Sequence, residues 1–164
     1  MVFIMNDLVK HKIEHNARRA VTSVKWVVFA ILVGVVVGIC GTAFYFGLSF
    51  VTLLRTQNPW LIFLLPVGGL AIVGLYHLFK DEDDSGTNLV ISAIHSGDKL
   101  PFRMAPLIFI STLITHLFGG SAGREGAALQ LGGSLGNSIG RLFRFDEKDK
   151  HVMIMCGMSA AFSA

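Results

Sequence analysis

Two uncharged runs limit what this chain can fold into: Trp26–Leu54, 29 residues, and Trp60–Phe79, 20 residues, both free of Lys, Arg, Asp and Glu. A helix needs roughly 20 apolar residues to cross the hydrocarbon core of a bilayer, so each run is long enough to span, the first with a strong tilt. Neither resembles a cleavable leader, because the first run starts late and is far too long. Backbone groups in lipid must be satisfied inside the spanning segment, so the expected fold is an all-α polytopic membrane protein. Hydrophobic residues at 52% and charged residues at 15% agree with that class.

Charge then sets orientation. Residues 1–25 carry Lys10, Lys12, Arg18, Arg19 and Lys25 against Asp7 and Glu14. The positive-inside rule places this end in the cytoplasm of a multi-pass protein of the cell inner membrane. The net charge of +3 is therefore topology and not affinity for nucleic acid. Residues 1–23 read as a cytoplasmic basic amphipathic segment lying on the membrane surface, and 24–164 as the membrane domain. Gly34 and Gly38 form a small-xxx-small pair suited to close helix approach. A turn at Gln57-Asn58-Pro59 leads to the second span, where Pro66 with Gly68-Gly69 predicts a kink. Asp81-Glu82-Asp83-Asp84 reads as a solvated loop without calcium-loop spacing.

The later segments are interrupted. A piece near 89–95, bounded by Ser85–Asn88 and Gly97-Asp98, is too short to span and reads as a broken or re-entrant helix. A span follows at about 103–118, then a glycine-rich break at Gly119–Gly126 and a helix at about 125–141. Asp146, with Asp149 three residues on, reads as the N-cap of one more helix. Phe162-Ser163-Ala164 supplies no cap, charge or terminator, so the reading expects part of a larger membrane domain.

Glu125 is the chemical feature. It follows 20 residues without a formal charge, 104–123, and precedes 15 more, 126–140. A carboxylate at bilayer depth is costly unless paired or beside a polar cavity, so such a residue is a functional candidate. Glycines around it open the backbone at a helix N-terminus, where backbone N–H groups and the helix dipole favour an anion. Thr87 and Asn88 add a hydroxyl and an amide donor at the other broken helix. Glu125 then has two readings: a tethered acceptor that competes with an anion when ionised and leaves when protonated, or a salt-bridge partner of Arg124. Ala128, Gly132, Gly136 and Gly140 recur every four residues as a ridge for helix packing.

Gly123-Arg124-Glu125-Gly126, followed by Gln130-Leu131-Gly132-Gly133 and Gly136, resembles the second signature of the CLC chloride channels and proton-coupled anion antiporters. The order of segments along the chain resembles the first inverted repeat of that fold. The resemblance implies that Glu125 is the gating, proton-coupled glutamate. It implies further that Gly123, Arg124, Gly126 and Ala127 line anion sites through their backbone, with Gly86, Thr87 and Asn88 as the equivalent of the first signature. It implies a homodimer in the full-length form, halide and proton as the transported species, and neither cofactor nor metal. Two positions depart from the pattern. Ala127 stands where proline is expected, and Gly86-Thr87-Asn88-Leu89-Val90 replaces Gly-Ser-Gly-Ile-Pro. Such a replacement resembles the branch that exchanges fluoride for protons, and fluoride, a strong hydrogen-bond acceptor, suits extra donors. Fluoride or chloride, and antiporter or passive channel, both remain open at this point.

Rival classes are an intramembrane serine hydrolase and a structural membrane subunit. Gly119–Gly123 and Gly132–Gly136 both match G-x-S-x-G, with His116 or His151 as the base, but that elbow requires a strand before the serine. A structural subunit explains glycine-rich packing and not an acid at a helix break. Cys40 and Cys156 lie in apolar runs without metal or disulfide spacing. The expected class is a transporter and not an enzyme.

Overall fold

The computed structural model describes residues 2–79, 87–96 and 100–164, with side chains over 22–79, 88–93 and 100–164. In chain order the helices are α1 (Val2–Gln57), α2 (Leu65–Phe79), α3 (Thr87–Ser96), α4 (Met104–Leu117), α5 (Arg124–Leu142) and α6 (Glu147–Ser163). A 3₁₀ helix, Pro59–Leu64, leads into α2. Every regular element among the described residues is helical. Thr22–Gln57 within α1 and Pro59–Phe79 are long and apolar enough to cross a membrane. The acidic run 81–84 and Gly97-Asp98 lie outside the described residues.

Two compact units divide the chain, Met1–Leu32 and Val33–Ala164. In the first, the Lys25 ammonium lies 5.3 Å from the centre of the Trp26 ring, a cation–π pairing that keeps the charge beside an apolar surface. Val24, Val27, Val28 and Ile31 are all more than half exposed, as a span facing lipid requires.

In the second unit the chain turns at Asn58, whose side-chain amide donates to the Leu54 carbonyl at 3.0 Å. The expected kink near Pro66 takes the form of a change from 3₁₀ to α geometry at Leu64–Leu65. Proline has no N–H and is tolerated in the first turn of a helix, so α2 restarts there. The core joins Phe44 and Leu48 of α1, Val90 and Ala93 of α3, Met104 and Ile108 of α4, Ala127 of α5 and Ile154 of α6. Phe44 and Phe109 meet with ring centres 5.4 Å apart.

Helix α5 is the centre of this unit, with buried residues on more than one face between Ala127 and Gly140. Its glycine ridge meets α6 backbone to backbone. A Cβ on Gly132 would strike the Gly157 carbonyl, and one on Gly136 the Met153 carbonyl. The ridge is therefore a contact surface, as expected from its spacing. Gly34 and Gly38 differ, because among the described residues nothing lies within 4 Å of a Cβ built on either. The same spacing signals packing only where a partner helix arrives. On α5's other side, Asn137 Nδ2 donates to the Leu100 carbonyl at 2.9 Å and Ser134 Oγ to the Pro101 carbonyl at 3.1 Å. These bonds satisfy the Leu100 and Pro101 carbonyls at the start of the strap that leads into α4, where Leu100 is buried. Asp146 caps α6 as expected, Oδ1 accepting from the Asp149 amide at 2.8 Å.

Candidate functional site

The site begins where α4 stops. Gly119 adopts φ +82°, a left-handed conformation that glycine takes without a Cβ penalty. Its N–H donates to the His116 carbonyl at 3.2 Å, and the Gly120 N–H to the Thr115 carbonyl at 2.8 Å. This paired closure turns the chain sharply off α4, and an irregular stretch carries it to α5.

Gly123 is the N-cap of α5, extended at φ −70° and ψ 112°, and it offers no side-chain cap. The Ala127 N–H to Gly123 carbonyl bond, at 3.2 Å, is the first turn's backbone bond. The amides of Arg124, Glu125 and Gly126 precede it and have no acceptor within the helix. Together with the helix dipole they make a place that favours negative charge. Ala127, standing where the resemblance leads one to expect proline, makes a bond that proline cannot make.

Arg124 and Glu125 are exposed in that turn. Among the described residues no ion pair joins them, so the salt-bridge reading of Glu125 is set aside. Successive side chains on a helix point about 100° apart, and neighbours at i, i+1 do not face each other.

Two cavities flank this turn. The first, about 390 Å³, is walled by Tyr45, Ser49 and Thr52 of α1, by Arg124, Glu125 and Leu131 of α5, and by Phe162 of α6. The second, about 560 Å³, lies between Tyr76 of α2, Ser111, Thr112 and Thr115 of α4, and Gly123, Gly126 and Ala127 of α5. The signature segment is thus shared: its charged side chains face one cavity and its small residues wall the other.

The first-signature residues are placed differently. Thr87 is the first residue of α3 and Asn88 stands exposed in its first turn, while Gly86 lies outside the described residues. Asn88 is on the wall of neither cavity. What ties α3 to α5 is Val90, whose Cγ1 lies 2.6 Å from a Cβ built on Gly133.

The hydrolase reading fails on geometry. The described residues contain no strand to carry a nucleophile elbow. Ser121 sits in the irregular stretch before α5, Ser134 Oγ is committed to the Pro101 carbonyl, and His116 Nδ1 lies 2.9 Å from the Thr112 carbonyl. Among the described residues no group of three His, Cys, Asp or Glu side chains is placed to hold a metal ion.

Sequence reasoning missed the polar walls: Tyr45, Ser49 and Thr52 on α1, and Ser111, Thr112 and Thr115 on α4. A signal existed, since Ser111 and Thr115 are four residues apart and share one face of an otherwise apolar helix.

The family model described as voltage gated chloride channel matches residues 68–164. A chloride/fluoride channel protein of Pseudomonas syringae pv. tomato is 42% identical over 141 residues, 85% of this chain and 31% of the relative. The H(+)/Cl(-) exchange transporter ClcA of Vibrio vulnificus is 28% identical over 183 residues, 100% of this chain and 38% of the relative. The chain therefore spans about a third of the length of these curated relatives. The crystal structure of a CLC-type fluoride/proton antiporter superposes with a TM-score of 0.76 at 37% identity, covering 83% of this chain and 35% of that one.

Proposed function

The chain belongs to the CLC family of voltage gated chloride channels, and from that premise we propose that its protein exchanges fluoride, or chloride, for protons, with Glu125 as the gate. The observation that carries the reading is Glu125 itself, a carboxylate in the first turn of a helix whose N-cap, Gly123, has no side chain to cap it. Ionised, the carboxylate is an acceptor for amides that otherwise have none in the helix. Protonated, it loses its attraction to the helix end and yields those donors to an anion. One proton exchanged against one anion at the same donors is the physical content of coupled antiport.

The anion is held mainly by backbone around Gly123, Arg124, Gly126 and Ala127; Gly86, Thr87 and Asn88 are assigned to it by the resemblance alone, Asn88 standing on the wall of neither cavity. Fluoride is favoured because the likeness to a CLC-type fluoride/proton antiporter supports it. The protein sits in the cell inner membrane with its N-terminus in the cytoplasm, and the complete form is a homodimer. A passive channel is the second reading, favoured by the channel name of the 42% identical relative.

The test is release of fluoride or chloride from proteoliposomes holding the complete natural protein, with proton movement recorded. Wild-type protein should drive protons against the released halide. Glu125→Gln, which mimics the protonated gate, should keep halide flux and lose the proton movement. Proton coupling equal to wild type in that variant would remove Glu125 from the mechanism. Halide release without protons in the wild type would select the channel.

A further inference from the structure

We infer that the cavity between α1, α5 and α6 carries the proton of Glu125. The hydroxyls of Tyr45, Ser49 and Thr52 hold a file of water along α1, and through it the gate gains and loses its proton. The inference rests on the transport reading above and names the residues that would serve its proton.

Thr42, Tyr45, Ser49, Thr52 and Thr56 follow one another at intervals of three, four, three and four residues in the last part of α1. That spacing sets the hydroxyls on one side of a helix, over roughly 21 Å at 1.5 Å per residue. The cavity lies on that side. Its α1 wall is Gly41, Phe44, Tyr45, Leu48, Ser49 and Thr52, again one helical face, and α5 brings Glu125 to the same space. Phe46, Phe50 and Leu53, around the helix from the hydroxyls, are apolar and each more than half exposed. The face suited to lipid and the face that carries hydroxyls are therefore distinct.

Bonding separates these hydroxyls from others in the molecule. In a helix a serine or threonine commonly donates to a carbonyl of the preceding turn, as Thr115 and Ser138 do, and as Thr56 does to Leu53 at 2.7 Å. Among the described residues the hydroxyls of Tyr45, Ser49 and Thr52 bond to no protein group. A hydroxyl donates and accepts, so it holds water in either orientation, as a chain of proton hops requires. Arg124 and Glu125 are the charged groups on the wall, and Tyr45 its other titratable side chain. The Arg124 guanidinium disfavours a resident cation, so an excess proton passes through without resting there. About 390 Å³ admits a short file at roughly 30 Å³ per water.

The transfer balances with every hydroxyl unchanged. Water at the exposed Thr56 end takes a proton from solution and hands one on. Each water in the file accepts one proton as it releases another, and the last gives its proton to a Glu125 carboxylate oxygen. Deprotonation runs the same hops in reverse. Tyr45, Ser49 and Thr52 each accept one bond and donate another, which keeps the water oxygens in line.

Proteoliposomes holding the complete natural protein test this, with proton and halide movement recorded together. Ser49→Ala with Thr52→Val should slow coupled exchange by roughly 10-fold or more, short of the full loss of an acid–base group because water partly refills the gap. The same pair in a Glu125→Gln background, where no proton is carried, should leave halide release unchanged. Ser49→Thr with Thr52→Ser, which keeps both hydroxyls, should exchange as wild type does. Proton movement at the wild-type rate in the first pair would overturn the proposal. So would an equal loss of halide release in the Glu125→Gln background, which would assign the hydroxyls to the halide or to the fold. If the first pair does not fold, Ser49→Cys decides: a small water-soluble thiol reagent should modify it beyond the native cysteines and faster than Phe50→Cys, and a Ser49→Cys protein left unmodified would overturn the proposal. Wild-type protein that moves halide without protons sinks the antiport reading beneath it.

Discussion

Gly132→Ala is the sharpest probe of the scaffold that carries Glu125. A methyl at 132 would fall against the Gly157 carbonyl, 2.8 Å from its carbon and 2.6 Å from Ala161 Cβ. Carbon atoms pack best about 3.5–4.0 Å apart, so relief requires α5 and α6 to separate by roughly 1 Å. The obstacle is backbone and not the end of a flexible side chain, which puts the cost near the top of the roughly 1–3 kcal/mol seen for overpacking. Alanine's better helix propensity returns about 1 kcal/mol, leaving a net loss near 2. Gly74→Ala on α2 is the control, because nothing lies within 4 Å of its Cβ, and propensity alone should stabilise it by about 1. The two variants should therefore differ by about 3 kcal/mol, or roughly 6–12 °C of apparent Tm in a domain of this length. Thermal unfolding in detergent, read by loss of the monodisperse chromatographic peak, measures the gap. Melting of the two variants within about 2 °C of each other would refute the backbone-contact argument. So would a Gly132→Ala protein more stable than wild type.

Two further outcomes follow from single contacts. Asn137→Ala removes the donor to the carbonyl of buried Leu100 and should cost about 1–3 kcal/mol by the same thermal assay; no loss would mean that the strap is not held from α5. Arg144, at φ +55°, closes α5 in a left-handed conformation that L residues adopt at a cost. Arg144→Gly should therefore raise stability by roughly 0.5–1 kcal/mol, and a lower Tm would show that the arginine side chain holds something there.

How far the sequence reaches depends on whether a signal is local. The starts of α5 and α6 were legible because their signals are local: the glycine-rich break Gly119–Gly126 ahead of a helical run, and Asp146 with Asp149. The charge-free runs gave the two long helices for the same reason. Glycine spacing was less decisive. Gly34–Gly38 and Gly132–Gly136 look alike in sequence, yet among the described residues only the second pair meets a neighbour, α6 backbone at Gly157 and Met153. Hydroxyls on α4 were opaque in another way. A serine or threonine in a membrane helix can bond its own preceding turn, as Thr115 does, or go without, as Ser111 does, and the letters do not distinguish the two. The Asn137 and Ser134 bonds span 37 and 33 residues and have no local trace.

The arrangement around Glu125 combines a fixed frame with a movable acceptor. From Ala127 onward α5 is locked: Ala127 belongs to the core, Gly132 and Gly136 lie against α6 backbone, and Ser134 and Asn137 grip the strap before α4. Ahead of Ala127 the helix end has neither a side-chain cap nor an intrahelical acceptor for its first amides. In water such an end is solvated without difficulty; at membrane depth an acceptor must be brought to it. Under the proposed mechanism the acceptor is the Glu125 carboxylate or an anion, and rigidity behind the turn makes the choice exclusive. A soft helix end relaxes to accommodate both, and coupling leaks. The glycine ridge and the bare N-cap are then two halves of one requirement: donors that cannot move, and no side chain nearby to satisfy them permanently. On that argument Gly123→Ser, which installs a capping hydroxyl, should weaken halide binding and proton coupling together while stabilising α5. Normal coupling in a more stable Gly123→Ser protein would show that the first-turn amides are not where the exchange takes place.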